Sequence, residues 1–306
     1  MLSLLASLER PVVTAEDVIA GLEMSRKAVN LTLSRLAAKG WLVRLRRGAY
    51  TIVPLSSRSG RQVVEQPFAT AMLLFSPCYI SGWTAAEHWE LTEQVSNTVV
   101  VYSSRPQRRS EQRLGGVSFR VRRVPEASIF GTTKIWSGPV AIEIATVHRT
   151  AIDVLDAPEM GGGGRQMLDI VKAYWRRADA NPDVLLDLAT RLGRGSVFKR
   201  LGFTAERFGH PGRAWLERCA GNLSAGITLL DPAVPPRGPI VSNWRLRVNI
   251  PLDDSQWSRR LRFSRSPRRR DSFRPPWRRT TPLDGSCSLS PTTPTPAAGT
   301  SRAAPV

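Results

Sequence analysis

Residues 25–53 decide the fold of the amino-terminal region and read SRKAVNLTLSRLAAKGWLVRLRRGAYTIV. Ser25 favours the position before a helix, because its hydroxyl oxygen can accept a hydrogen bond from a free amide of the first turn. Leu33 and Leu36 follow Val29 at four and seven residues, the spacing that places side chains on one helical face. The pattern predicts a helix that Ser25 caps.

Two short strands are predicted after this helix, which Gly40 ends. Residues 41–45 and 49–53 are rich in β-prone side chains, and Arg46-Arg47-Gly48 lies between them. Such a pattern is typical of a hairpin. We expect its basic tip to be held out in solvent.

Two further helices are predicted upstream. Leucines within residues 2–8 make one apolar helical face, which Pro11 ends. Thr14 then begins a second helix, with Asp17 at its third position as a shortened capping box. Three helices followed by a two-stranded hairpin predict a winged helix-turn-helix domain over residues 1–55.

The third predicted helix and the hairpin carry the candidate DNA-binding side chains. A helix fits the major groove, where arginine can pair with guanine and asparagine with adenine. The candidate residues are Ser25, Arg26, Lys27, Asn30, Ser34, Arg44, Arg46 and Arg47. Arg26, Lys27 and Asn30 are predicted to contact bases. Arg46 and Arg47 are predicted to contact the DNA backbone. The alternative is a polar helix face that contacts only water.

Beyond a polar linker at residues 56–61, residues 62–250 are predicted to form a second domain of mixed α+β order. Its predicted strands cover residues 97–102, 117–124, 140–145, 227–230 and 241–250, and the last two are expected to close the sheet. Its predicted helices cover residues 69–75, 81–89, 146–155, 165–178, 182–192, 197–201 and 213–219. The flexible composition of the linker predicts no core shared by the two domains.

The chain is strongly basic, which favours a polyanionic partner. Its 306 residues include 44 Lys and Arg against 25 Asp and Glu, a formal net charge of +19. Ten of the arginines fall within residues 259–279. Residues 251–306 have little to bury, which predicts a disordered basic tail. Two origins stay open for it: a nonspecific nucleic-acid-binding segment, or the product of a GC-rich frame read out of register.

The cysteines and the apolar segments predict a cytoplasmic protein with no membrane partner. The three cysteines are widely separated and include no CxxC pair, which suits a reducing compartment. Glu9 and Arg10 interrupt the apolar start, so no signal peptide is expected. No apolar stretch reaches the length of a membrane span.

The sequence offers few residues for enzymatic chemistry. His88, His148 and His210 lie in no metal or nucleophile motif, and His88 is expected to be a packed helix residue. The glycine run at residues 161–164 lacks the Lys-Ser/Thr pair of a phosphate-binding loop, which favours a flexible linker. Strand 140–145 has alanine where a metal-dependent nuclease would carry lysine. We predict no catalytic site, cofactor or metal. The alternative is a winged-helix protein with a nuclease-like enzymatic domain.

Two interior segments of the second predicted domain carry further sequence motifs. The first reads YISGWTAAEHWELTEQ at residues 79–94, with NTVVV at residues 97–101, and the second reads HRTAIDVLDAPEMGG at residues 148–162. Together with the amino-terminal pattern they resemble the AbiEi-type antitoxins, the transcriptional regulators of type IV, abortive-infection-like toxin–antitoxin pairs. The resemblance covers about residues 1–250.

The resemblance implies two activities. The winged helix would bind double-stranded DNA at inverted repeats in the promoter of its own operon. The carboxy-terminal domain would counter a toxin of the nucleotidyltransferase superfamily, with or without direct contact. Family members tend to carry Ser-Asp/Glu-x-x-Arg-Thr, whereas this chain keeps Arg149 and Thr150 but has Thr146 in place of the acid. The basic tail has no counterpart in the family.

Overall fold

The computed structural model describes residues 11–21, 24–53 and 64–252, which form an α+β structure. Its helices are α1 (Ala15–Gly21), α2 (Arg26–Ala38), α3 (Pro67–Phe75), α4 (Gly82–His88), α5 (Val147–Asp156), α6 (Gly164–Trp175), α7 (Pro182–Leu192), α8 (Gly195–Thr204) and α9 (Arg213–Ala220). Its strands are β1 (Val13–Thr14), β2 (Leu42–Arg46), β3 (Ala49–Ile52), β4 (Cys78–Ile80), β5 (Thr98–Ser103), β6 (Glu111–Leu114), β7 (Val117–Arg123), β8 (Thr132–Ser137), β9 (Val140–Ala145), β10 (Thr228–Leu229), β11 (Ile240–Val241) and β12 (Leu246–Arg247). The helix predicted within residues 2–8, the linker and the tail beyond Leu252 lie outside the described residues.

The amino-terminal region packs α1 and α2 on a small antiparallel sheet of order β1-β3-β2. Val18 of α1 and Val29 and Leu33 of α2 are fully buried. They share one apolar cluster with Leu42 and Tyr50 of the sheet. The predicted apolar face of α2 and the predicted hairpin are therefore confirmed.

The two helix caps predicted in the amino-terminal region, Thr14 and Ser25, are confirmed. The Thr14 hydroxyl and amide donate to the Asp17 carboxylate at 2.7 and 2.8 Å, and the Asp17 amide donates back to Thr14 Oγ1 at 3.4 Å. Ser25 Oγ accepts from the amide of Ala28 at 3.4 Å. Each cap satisfies amides that the first turn of a helix leaves without an intrahelical partner.

The second region is built on a six-stranded mixed sheet of order β6-β7-β5-β4-β9-β8. β4 runs parallel to β9 and β5 parallel to β7, and the other neighbours are antiparallel. The strands predicted at residues 97–102, 117–124 and 140–145 are β5, β7 and β9. The sequence patterns did not predict β4, β6 or β8.

The prediction that the glycine run at residues 161–164 is a flexible linker is wrong. Gly162 and Gly163 have φ of +88° and +95°, in the region that favours glycine. The Gly164 amide donates to Asp231 Oδ2 at 2.6 Å. The ring of Trp83 lies so close to Gly162 that a β-carbon there would overlap it. The run is a tightly packed connection between α5 and α6.

The prediction that the terminal strands close the main sheet is also wrong. β10, β11 and β12 form a separate sheet of order β10-β12-β11. Two buried cations of α8 hold it. Lys199 Nζ donates to the carbonyl of Gly226 at 2.9 Å, and the Arg200 guanidinium donates to the carbonyls of Leu229 at 2.9 Å and Leu155 at 2.8 Å. These contacts tie the terminal strands to the helices.

The amino-terminal hairpin shares a core with the second region. Leu45 and Ala49 are buried in the same apolar cluster as Leu74 of α3 and Phe119 of β7. Val64, the first described residue after the linker, is 1% exposed and belongs to this cluster. The expectation of two separate cores is therefore wrong, while the boundary placed at residues 56–61 stays a prediction.

Candidate nucleic-acid interface

One face of α2 is open to solvent along its length. Lys27, Asn30 and Ser34 are all exposed, and their spacing of three and four residues places them in one row. Val29 and Leu33 occupy the buried side of the same helix. The row is therefore a polar, solvent-exposed face of the helix, opposite the side that packs on the sheet.

Two other candidate residues of α2 already have partners. Arg26 forms an ion pair with Glu16 of α1, and the two side chains remain 69% and 62% exposed. A backbone hydrogen bond and then the charge of Arg26 lower the pKa of Glu16. An exposed pair of this kind contributes little stability, so Arg26 can exchange Glu16 for another acceptor. The Ser25 hydroxyl serves as the helix cap.

Leu31 lies on the same exposed side of α2 and was not among the candidates. Its side chain is 51% exposed, and it lies one turn after Lys27. An apolar side chain on a helix in the major groove can contact the methyl group of thymine. The signal in the sequence is its position, because Leu31 falls outside the apolar spacing of Val29, Leu33 and Leu36.

The hairpin arginines are not equivalent. Arg44, Arg46 and Arg47 are all exposed, as expected for the tip. The Arg46 guanidinium also donates to the carbonyl oxygen of Leu74, at the carboxyl end of α3. Partial burial and then the nearby charge of Arg105 lower the pKa of Arg46. Arg46 is thus exposed and at the same time held against the second region.

Arg105 brings a cation of the second region beside the hairpin. It is exposed, and its Nη1 donates to the same Leu74 oxygen at 3.5 Å. Two guanidinium groups thus converge on one carbonyl oxygen, which carries the partial negative charge of a helix carboxyl end. Each arginine keeps further N–H donors, and paired guanidinium groups suit phosphate oxygens. No local pattern predicts Arg105, because its position depends on tertiary packing.

The two interior segments that carried the resemblance meet in a buried network. Asp153 accepts hydrogen bonds from Ser81 Oγ at 2.6 Å, Tyr79 Oη at 3.0 Å and Arg149 Nε at 2.9 Å. Arg149 also donates to the Ser128 carbonyl at 3.2 Å. Arg149 and Asp153 are 1% exposed, and burial raises the pKa of Asp153 against the opposing effect of Arg149. These residues join α5 to β4, and they have no access to a ligand.

Thr146 occupies the position where the family pattern has an acid. Its Oγ1 accepts from the Arg149 amide at 3.2 Å and caps α5. Aspartate and threonine both serve this role at helix starts. Although this chain lacks the acid of the family pattern, the Arg149 amide at the start of α5 still has a hydrogen-bond acceptor.

A cleft of about 770 Å³ is lined by residues of α3, α4, β5, β6 and β7, including Glu87 and His88 of α4 and Arg113 of β6. His88 is the last residue of α4 and lies edge-on to Trp89, with ring centroids 4.8 Å apart, so it packs against one ring while its side chain stays exposed. Within residues 11–21, 24–53 and 64–252, no group of three or more His, Cys, Asp or Glu side chains could hold a metal ion.

Comparison with known proteins bears on the segment that contains α2 and the hairpin. A family model described as the transcriptional regulator, AbiEi antitoxin, matches residues 1–53, which include α2 and the hairpin. A comparison with curated proteins gives no match. In the part of the chain that the structure describes, no helix has the length and apolar character to cross a membrane. Residues 1–53 are thus similar to the AbiEi antitoxin transcriptional regulators, and the resemblance is confirmed for that part of the chain.

Proposed function

We propose that this chain is a cytoplasmic, DNA-binding autorepressor and the antitoxin of a type IV pair. The observation that supports the proposal best is the family match over residues 1–53, the segment that contains the exposed polar row of α2. In this proposal α1, α2 and the hairpin, with the helix predicted within residues 2–8, form a winged helix-turn-helix. The target is inverted repeats in the promoter of its own operon.

In the proposed complex α2 enters the major groove. Its amino-terminal residues Arg26, Lys27 and Asn30 contact base edges, and Leu31 packs on thymine methyl groups. Arg47 at the hairpin binds the DNA backbone, which positions the protein without reading sequence. Arg46 and Arg105, which converge on one carbonyl oxygen, bind a shared phosphate beside the hairpin.

This arrangement predicts different losses for base and phosphate contacts. Asn30→Ala should weaken operator binding by about 1–3 kcal/mol and relax the sequence preference, because a bidentate pair with adenine is lost. Arg105→Gln should weaken cognate and random DNA alike and reduce the slope of log affinity on log salt by about one unit. Titrations of a promoter fragment and a random duplex at several salt concentrations measure both effects.

Arg213→Gln is the control, because Arg213 is an exposed arginine of α9 whose partner is Glu217, a residue of the same helix. It should leave both affinities unchanged. Equal losses on operator and random DNA for Asn30→Ala would reject the base contact. An Arg105→Gln chain with wild-type affinity and salt slope would reject the phosphate contact.

The second half of the proposal assigns the antitoxin activity to residues 64–252, which counter a nucleotidyltransferase-type toxin without a catalytic step. The full chain is the material for its test, because Leu45 and Ala49 share the core of the second region. A chain with Asn30→Ala and Arg47→Ala should still restore growth when it is expressed with the toxin of its operon. Failure of this chain, folded and melting like wild type, would contradict separate activities. A nuclease would instead cleave DNA when Mg²⁺ is added to the purified chain.

A further inference from the structure

β8 is an edge of the six-stranded sheet with little of the usual protection. β9 pairs with it from Thr132 to Ser137 without a bulge, and no other strand of the described residues pairs with its outer side. Natural edges are usually short, charged or interrupted by proline. The opposite edge, β6, follows this rule with the sequence EQRL. β8, with the sequence TTKIWS, has one charge and no proline.

The residues of β8 that direct backbone groups outward can be assigned. The Thr146 amide donates to the Gly131 carbonyl at 2.9 Å, one position before the strand begins. Residues of an antiparallel strand alternate between bonding their partner and facing away from it. The Gly131 carbonyl points toward β9, so every second residue counted from Gly131 also bonds β9. The amides and carbonyls that point outward therefore belong to Thr132, Lys134 and Trp136.

The side chains of β8 also mark this edge as a contact surface. Trp136 is 70% exposed, and Lys134 stands on the same face with its side chain 64% exposed. Lys134 has only a weak exposed pair with Glu143, at 3.8 Å. Ile135 lies on the other face, packed against the main core. Exposed aromatic side chains are enriched where proteins bind one another.

We propose that a second copy of this chain pairs antiparallel with β8, about a two-fold axis at Ile135. A residue whose backbone groups point away from β9 can form hydrogen bonds only with such a residue of the other copy. These outward residues occupy every second position, so the two-fold axis must pass through a residue and not between two residues. Axes at Lys134 and at Ile135 give the longest overlaps along the strand. An axis at Lys134 would place two ammonium groups directly opposite each other, which is unfavourable.

The axis at Ile135 places Lys134 of each copy opposite Trp136 of the other, where a cation–π interaction forms twice. Ile135 then meets its symmetry mate and extends the apolar core across the axis. The interface is isologous, so one surface satisfies both copies. It depends on β8 alone and forms without DNA, which separates its test from that of the proposed function.

Sedimentation equilibrium of the full chain without DNA measures the association. Wild type should form a dimer, and Trp136→Thr and Lys134→Glu should each raise its dissociation constant at least about tenfold. Val95→Thr and Lys172→Glu are the controls, because both residues are exposed on other surfaces, and they should leave the constant unchanged. A wild-type monomer at every concentration, or a dimer that the β8 substitutions do not weaken, overturns the proposal.

Cysteine cross-linking tests the register. In a chain with Cys287→Ser, the remaining cysteines, Cys78 and Cys219, are buried. A mixture of Lys134→Cys and Trp136→Cys chains should give a disulfide-linked dimer, because these positions are opposite across the axis. Neither chain alone should cross-link. Efficient cross-linking of Lys134→Cys with itself would place the axis at Lys134 and overturn the proposed register.

Discussion

Asp153→Asn is expected to lower the free energy of unfolding by about 3–5 kcal/mol, the usual cost of removing one partner of a buried ion pair. Arg149 and Asp153 are each 1% exposed, so the guanidinium would stay buried without its counter-charge. Tyr79 and Ser81 would also lose the carboxylate that accepts their hydroxyl hydrogens. Urea unfolding of the full chain, followed by tryptophan fluorescence, measures the change.

Two further variants test whether the loss of stability comes from leaving a charge buried without its partner. Asp183→Asn breaks an exposed ion pair, because the side chain of Asp183 is 67% exposed and that of its partner Arg218 is 57% exposed. It should lower the free energy of unfolding by no more than about 1 kcal/mol. Replacing both Arg149 and Asp153 by leucine should recover part of the loss, because no buried charge is then left alone. An Asp153→Asn chain as stable as the Asp183→Asn chain would show that the network contributes little.

The local patterns of the amino-terminal region predicted its two described helices and its hairpin, but not the two-residue strand β1. The caps at Thr14 and Ser25, the buried face of α2 and the hairpin all depend on residues within a few positions of each other. All eight candidate DNA-binding residues are exposed. For those of α2 the reason is the same, since a helix period determines which side is buried. Arg105 could not be found this way, because only the packing of β5 against α3 brings it to the hairpin.

The three strands that were missed in the six-stranded sheet have weak local patterns. β4 follows α3 after two residues and is uniformly apolar, so its period does not distinguish it from the helix before it. β6 is polar because it is an exposed edge. β8 shows little of the alternation that marks a half-buried strand, with Trp136 exposed on its outer face. Edge strands show weak hydrophobic patterns because one of their sides faces solvent.

The role of the interior segments shows what a resemblance can and cannot predict. The resemblance assigns no role to the segments at residues 79–94 and 148–162. In the structure they meet through Asp153 and through the contact of Trp83 with Gly162. Residue types at these positions are therefore explained by packing and buried hydrogen bonds. The candidate interface lies elsewhere, on α2 and the hairpin.

Gly162→Ala is expected to destabilise the chain by about 2–4 kcal/mol, from two separate causes. Its φ of +88° costs a residue with a β-carbon about 1 kcal/mol. The new β-carbon would also overlap the Trp83 ring, and forcing extra volume into a packed site costs about 1–3 kcal/mol more. Urea unfolding of the full chain measures the sum.

Gly193→Ala isolates the backbone contribution, because Gly193 has φ of +68° and ψ of +25°, in the same left-handed region as Gly162. The atom nearest to the position of its β-carbon is the Thr190 carbonyl oxygen at 3.9 Å, an ordinary contact. The substitution should cost only the smaller amount, about 1 kcal/mol. In a chain with Trp83→Ala, Gly162→Ala should cost about as much as Gly193→Ala, since the overlapping ring is gone and the two substitutions are coupled through one contact. Equal costs for Gly162→Ala and Gly193→Ala in the wild-type background would mean that the segment yields freely around Trp83. The glycine run would then be the flexible linker that its composition indicates.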